Sequence, residues 1–186
     1  MKILNTEYSI LNTRKGFTLI ELLTVIGIIA VLTGLFTVSY LAVRQRGRDA
    51  QRKSSVKQIQ SALELFRADN DIYPDTTSFQ NIGCNNPFSY DKSSSTFNPS
   101  PTTSSTITYM NTIPCDPTTG SAYYYFSATP TTYVIVSCLE NTSDKDGRDG
   151  TSASTPSWWP ATAPTWPPST LVCPSGVTYY YAVSNP

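Results

Sequence analysis

The sequence predicts an α+β protein, with a long N-terminal α-helical stem, transmembrane in its first half, packed against a small C-terminal antiparallel β-sheet head. Three observations predict this fold class. Residues 22–43 form an apolar run that contains no charged side chain. The residues that follow place apolar side chains at helical spacing, which indicates a helix with one buried face. The C-terminal half contains short β-branched and aromatic runs separated by turn residues, as strands do.

The stem is predicted to be one helix over residues 17–70. Its first part, residues 17–43, is apolar on all sides, and at ~1.5 Å per residue the uncharged run extends about 33 Å, roughly one hydrocarbon thickness. The second part, residues 44–73, is amphipathic. Asn70 and Pro74 are helix breakers, so we expect the helix to end there. The apolar positions of the second part are Val56, Ile59, Ala62, Leu63 and Phe66.

Residues 74–186 are predicted to form the head. Residues 75–111 are rich in Ser, Thr, Asn and Pro, and we expect them to be a long irregular loop. The candidate strands are residues 123–126, 132–139 and 177–183, with a turn at 128–131 between the first two. Residues 151–168 are rich in Pro and contain Trp158, Trp159 and Trp166, which form either a lid over the sheet or an adhesive surface.

Charge is balanced overall but segregated along the chain. The sequence has 13 basic and 13 acidic residues, and no histidine. Residues 44–57 hold a basic block: Arg44, Arg46, Arg48, Arg52, Lys53 and Lys57. One short basic block beside an apolar run does not make a nucleic-acid interface, so we do not expect a nucleic-acid partner. Because basic residues flank the run on both sides, composition alone leaves the membrane orientation open.

The four cysteines, Cys84, Cys115, Cys138 and Cys173, all follow the apolar run. An even number of cysteines outside a membrane indicates disulfides in an oxidising compartment. The chain has no Cys-x-x-Cys pair and no histidine, which argues against a zinc site. Two disulfides allow three pairings. Order along the chain favours the pairs Cys84–Cys115 and Cys138–Cys173, but the pairing stays open.

Glu21 carries a charge directly before the apolar run, where a charged side chain is unexpected. A carboxylate near the start of a membrane helix needs a partner. One alternative places it in the headgroup region, stabilised by the helix dipole. The other follows from the preceding Gly16–Phe17 bond, because cutting that bond would give Phe17 a free amine. Pairing this amine with Glu21 of a neighbouring chain would neutralise both charges and fix the axial register.

The segment Arg14-Lys15-Gly16-Phe17-Thr18-Leu19-Ile20-Glu21-Leu22 resembles the class III signal of type IV pilins and type II secretion pseudopilins. The resemblance implies a cleaved leader over residues 1–16, N-methylation of Phe17 and assembly through Glu21. It implies an inner-membrane protein with an extracytoplasmic head, and then an extracellular or periplasmic filament. The implied partners are further copies of the chain, a prepilin peptidase, a membrane platform protein and an assembly ATPase.

Asp144, Asp146 and Asp149 alternate in a glycine-containing turn, which provides the oxygen ligands that calcium prefers. Lys145 and Arg148 reduce its negative charge, and no glutamate closes the loop. Major pseudopilins are similar in carrying calcium near the C-terminal sheet, so the resemblance implies a possible calcium site. The alternative is a solvated acidic turn.

Two functional questions stay open at the level of sequence. The segment Ile113-Pro114-Cys115-Asp116-Pro117 and the acidic loop resemble pseudopilins, whereas the disulfides and the Ser/Thr-rich surface favour a surface pilin. The alternative from another class is an unprocessed, single-pass membrane-anchored adhesin or binding domain. An enzyme is not expected, because histidine, the commonest general base, is absent.

Overall fold

The computed structural model describes residues 16–100, 104–149, 159, 161, 163, 166, 168, 171–174 and 177–185, except for the side chains of residues 35–39 and 149. The chain divides into two compact units, Met1–Leu41 and Ala42–Pro186. Each unit is described by itself. Residues 1–15 of the predicted leader lie outside the described residues.

In the first unit, the described residues are almost entirely helical. Helix α1 is assigned to Leu19–Asn70 and therefore contributes to both units. Its apolar side chains in the first unit, from Leu19 to Leu32, are exposed on all sides of the helix. No helix among the described residues combines the length and the apolar character that crossing a bilayer requires. The membrane span over residues 17–43 stays a prediction.

In the second unit, α1 buries one face against the sheets. The five apolar positions expected to face a core, Val56, Ile59, Ala62, Leu63 and Phe66, are all buried. The helix ends at Asn70, as predicted. Asp71 then adopts φ +62°, a left-handed conformation that aspartate tolerates better than most residues. The Tyr73 amide donates to the Pro130 carbonyl at 2.7 Å, which fixes the exit of the chain from the helix.

The expectation of a long irregular loop over residues 75–111 was wrong. This region contains α2 (Thr76–Ile82), β1 (Phe88–Asp91), β2 (Thr96–Phe97) and β3 (Thr106–Met110). The three strands form an antiparallel sheet in the order β2-β1-β3. The region folds because its few aromatic residues converge on the ring of Phe66, with centroid distances of 5.2 to 5.6 Å: Phe88, Tyr90, Phe97 and Tyr109.

The second sheet contains β4 (Tyr124–Thr129), β5 (Thr132–Leu139), β6 (Arg148–Asp149) and β7 (Tyr179–Ser184), in the antiparallel order β4-β5-β7-β6. The three strands predicted in this part of the sequence are confirmed, and β5 has the predicted bounds. In register, Ile135 pairs with Tyr125 on one side and with Val183 on the other. Strand β5 is therefore central, which explains why seven of its eight residues are buried.

Alternate residues of β5 face two different hydrophobic clusters. Tyr133 and Ile135 belong to the cluster that contains the buried face of α1. Val134, Val136 and Cys138 belong to a second cluster with Trp159. The predicted α+β fold is confirmed, with one difference: the helix packs with two small antiparallel sheets rather than with one.

Candidate assembly site

Thr18 and Glu21 close the start of α1 by capping each other. The Thr18 amide donates to Glu21 Oε2 at 2.9 Å, and the Thr18 hydroxyl donates to the same oxygen at 2.8 Å. In return, the Glu21 amide donates to Thr18 Oγ1 at 3.3 Å. This is the capping-box geometry of a Thr-x-x-Glu sequence. This capping explains why the helix begins at Leu19 rather than at residue 17. The role of Thr18 was not predicted, although the three-residue spacing from Thr18 to Glu21 indicates a capping box.

Gly16 and Phe17 precede the helix, and both are exposed. Phe17 leaves 86% of its surface accessible, and the Glu21 side chain is exposed one turn further along. The predicted cleavage bond therefore lies outside regular secondary structure and is exposed. Cleavage, methylation and pairing of Glu21 with a neighbouring chain stay predictions.

A buried arginine lies at the junction between α1 and the head within the second unit. Arg52 is 0% exposed. Its Nε donates to Asp116 Oδ2 at 2.6 Å, and its Nη1 donates to Asp49 Oδ1 and to Glu140 Oε1, each at 2.8 Å. Its Nη2 reaches Thr118 Oγ1 at 2.8 Å. Each nitrogen of the guanidinium has a partner, which burial of a charge requires.

The same cluster ties the end of β5 to the helix. Asp49 accepts hydrogen bonds from the backbone amides of Glu140 at 3.0 Å and Asn141 at 2.8 Å. Arg48 forms a two-pronged ion pair with the Glu140 carboxylate. Lys53 also pairs with an acid of the head, Asp144. Three of the six basic residues in the block, Arg48, Arg52 and Lys53, therefore bind acids of the head. This cluster was not predicted from the sequence, since its contacts between α1 and the head join residues 64 to 92 positions apart in the chain.

The cluster favours charged carboxylates. The hydrogen bond from Arg48, assisted by Arg52 and opposed by burial, lowers the pKa of Glu140 to about 2. Burial acts to raise the pKa of Asp116, but hydrogen bonds from Arg52 and from the Thr119 and Thr118 amides outweigh it, so this pKa is also lowered. These groups form a structural ion-pair cluster rather than an acid–base pair suited to catalysis.

Asp144 and Asp146 of the acidic loop contact Lys53 of α1. The side chain of Asp149 lies outside the described residues. No group of three or more His, Cys, Asp or Glu side chains that could hold a metal occurs in the described part of the chain. The calcium site stays a prediction. Lys53 donates hydrogen bonds to two of the three carboxylates that were predicted as its ligands.

Two disulfides are present, Cys84–Cys115 and Cys138–Cys173, with Cα–Cα distances of 5.2 and 5.6 Å. The second joins β5 to Cys173, which follows the segment that carries the tryptophans. Trp159 is 6% exposed, stacks on Tyr124 and Phe126, and contacts Trp166 edge to face. Of the two alternatives for these residues, the structure favours the lid over the sheet. Trp158 lies outside the described residues.

The chain matches a family model described as the prokaryotic N-terminal methylation motif, over residues 11–37. This range includes Gly16, Phe17 and Glu21, the three residues singled out for processing and assembly. No solved structure matches the chain.

The chain is also similar to secretion system and pilus proteins of several bacteria. It is 28% identical to the type II secretion system core protein G of Pseudomonas aeruginosa over 114 residues, covering 61% of this chain and 74% of that protein. It is 24% identical to the Vibrio cholerae core protein G over 145 residues, covering 78% and 92%. The type IV wide pilus major component PilA4 of Thermus thermophilus is 41% identical over 59 residues, 32% of this chain and 45% of that protein.

The family model covers the N-terminal motif, and the alignments with the two core proteins G, of 114 and 145 residues, are long enough to extend into the head. The fold agrees with them, since a long N-terminal helix packs with small antiparallel sheets. The motif, the relatives and the fold together support a relationship of the chain to type IV pilins and to the type II secretion system core protein G.

Proposed function

We propose that the protein is a structural subunit of a type IV filament, a pilin or a pseudopilin. In this proposal it is cleaved after Gly16, N-methylated at Phe17 and polymerised through its apolar helix. The observation that carries the proposal is the methylation motif at residues 11–37, placed at the start of a helix whose apolar side chains are exposed on all sides. The role is structural and not enzymatic.

The exposed apolar surface of α1 gives the physical reason for polymerisation. Leu19, Ile20 and Leu22 each leave more than half of their surface accessible, and the large apolar side chains that follow as far as Leu32 are also exposed. Apolar area of this extent needs lipid or protein around it. Lipid would cover it in the inner membrane before assembly, and the helices of neighbouring subunits would cover it in the filament.

Glu21 would provide the specific contact in this apolar packing. Among the described residues, the hydrogen bonds to its carboxylate come from the neutral amide and hydroxyl of Thr18. A charge within packed apolar helices is costly unless a counter-charge is present. The free amine of a processed Phe17 on a neighbouring subunit would supply that charge. The motif match further supports a prepilin peptidase as partner, and the family supports a platform protein and an assembly ATPase.

The location follows from the same reasoning. We place the protein in the inner membrane with its head outside the cytoplasm, and then in a periplasmic or extracellular filament. The two disulfides support an oxidising compartment for the head. They do not decide between a pilus and a secretion filament.

The N-terminus and Glu21 together test the proposal. When the chain is produced with a prepilin peptidase, mass spectrometry should find a protein that starts at methylated Phe17. Glu21→Ala should be cleaved normally but form no filaments by electron microscopy, because the amine then lacks its counter-charge. Thr18→Ala is the matched control: it removes the hydroxyl of the cap but keeps the carboxylate, so filaments should still form.

Three results would contradict the proposal or the role that it gives to Glu21. An intact Met1 in the presence of the peptidase would support an unprocessed, membrane-anchored adhesin or binding domain instead. Normal filaments from Glu21→Ala would show that assembly does not need the carboxylate. Loss of filaments in Thr18→Ala as well as in Glu21→Ala would assign the effect of Glu21 to helix capping.

A further inference from the structure

Lys53 points from α1 into the acidic loop that follows β5. Its Nζ donates to Asp144 Oδ1 at 2.5 Å and to Asp146 Oδ2 at 2.8 Å. It also lies 5.6 Å from the centre of the Tyr181 ring on β7. The ammonium is thus held between two carboxylates and one aromatic face. Opposite charges and an aromatic ring are the surroundings that stabilise a cation.

The oxygens of Asp144 already accept other hydrogen bonds. Its Oδ1 accepts the Asp146 amide at 3.0 Å in addition to Lys53. Its backbone oxygen accepts the Gly147 amide at 3.2 Å and the Tyr179 hydroxyl at 3.0 Å. Calcium needs six to eight oxygen ligands at about 2.3–2.6 Å. Two oxygens that a calcium ion in this loop would use are therefore directed at N–H and O–H donors.

Packing against the Tyr179 ring explains why residue 147 of the loop is a glycine. A Cβ on Gly147 would lie 1.9 Å from Cε1 of the Tyr179 ring, so only glycine allows this ring to cover the turn. The Tyr179 ring brings its hydroxyl to the Asp144 carbonyl. Gly147, which in the sequence indicated a calcium loop, is therefore needed for packing of the turn against Tyr179 of β7.

The charge state of Lys53 suits this arrangement. Lysine is an ammonium at neutral pH, and the hydrogen bonds that Lys53 donates to the carboxylates of Asp144 and Asp146 stabilise this charged form. A divalent cation bound to the same carboxylate oxygens would face this positive charge at close range.

We infer that the ammonium of Lys53 is the resident cation of the acidic loop and takes the position that calcium would otherwise occupy. The loop is then fastened to α1 by a covalently attached charge, and folding of the head does not depend on calcium. This inference does not rest on the proposed filament function. It departs from the calcium expectation raised by the resemblance to major pseudopilins.

Thermal unfolding of the full chain in detergent tests the inference, in EGTA and in about 5 mM calcium, well above the affinity of weak extracellular sites. We expect the same Tm in both conditions for the natural sequence. Lys53→Met keeps the length of the side chain and removes the charge, and we expect it to lower Tm in EGTA by about 2–4 °C. Lys57→Met is the matched control, because this lysine is exposed one turn away and its ammonium donates to Gln60 of the same helix.

Asp144→Asn completes the experiment. Since Lys53 and Asp144 form one contact, the double variant should lose little more than the larger single loss. Two results would overturn the inference. One is a calcium-dependent rise in Tm of the natural sequence that Asp144→Asn abolishes. The other is a Lys53→Met variant that melts with the natural sequence in EGTA.

Discussion

Arg52 shows how a single buried charge fixes the junction between helix and head. It binds three carboxylates, Asp49, Asp116 and Glu140, and all three have side chains that are at most 10% exposed. Asp49 in turn binds the backbone that leaves β5. A charge in this position stabilises the fold only as long as the whole cluster is complete.

We therefore predict that Arg52→Met strongly destabilises the head. It fills a similar volume but removes the cation that pairs with the buried carboxylates of Asp49 and Asp116 and leaves Glu140 with Arg48 alone, which should lower the free energy of unfolding by about 3–5 kcal/mol. Denaturant unfolding of the full chain in detergent measures the change. Arg46→Met is the control, because Arg46 is exposed on the same helix and should change stability by less than about 0.5 kcal/mol. Equal stability of the two variants would contradict this role for Arg52.

At the scale of elements, the sequence predicted those whose signals are local and periodic. Helix α1 and strand β5 follow directly from apolar spacing. The region of residues 75–111 was predicted incorrectly because its elements are only two to seven residues long. Its side chains find their partner, Phe66, on a different element. The Arg52 cluster was missed for the same reason, whereas the Thr18 cap could have been read from a three-residue spacing.

The tryptophan lid gives a prediction about one element. The disulfide Cys138–Cys173 closes a separation of 35 residues, and its loss should lower the free energy of unfolding by roughly 3–4 kcal/mol on loop-entropy grounds. The three tryptophans of the chain all lie within this loop. We predict that Cys138→Ser with Cys173→Ser exposes Trp159 before the head unfolds, measured as a red shift and faster acrylamide quenching of fluorescence.

The other disulfide provides the matched control for the lid. Cys84–Cys115 closes a separation of 31 residues, so its removal should cost a similar free energy. Since it lies outside the tryptophan cluster, Cys84→Ser with Cys115→Ser should leave the fluorescence of the folded protein unchanged. Equal red shifts in both double variants would contradict the assignment of the lid to Cys138–Cys173.

The molecule as a whole carries no net charge, but its ion pairs concentrate where the basic block of α1 meets the acids of the head. This arrangement joins two functions in one helix. In the proposed filament, the first unit of the chain provides apolar contacts between subunits. The basic block that follows holds the head by Arg48, Arg52 and Lys53. The segregation of charge along the sequence thus has a structural role in the folded chain.

The same ion pairs predict how the whole molecule responds to acid. The pKa of Glu140 is lowered from 4.5 to about 2, chiefly by Arg48, and hydrogen bonding to Lys53 lowers the pKa of Asp144. In the window between the unfolded and the folded pKa values, the unfolded chain binds more protons, so stability falls as the pH decreases. We predict a constant free energy of unfolding above about pH 5 and a progressive loss toward pH 2.

Glu140→Gln should weaken this pH dependence while lowering stability at pH 7. Asp71→Asn is the control and should keep the pH dependence of the natural sequence. Asp71 is exposed, and asparagine accepts its left-handed conformation. Denaturant unfolding at each pH measures the slope, and an unchanged slope in Glu140→Gln would refute the assignment to this carboxylate.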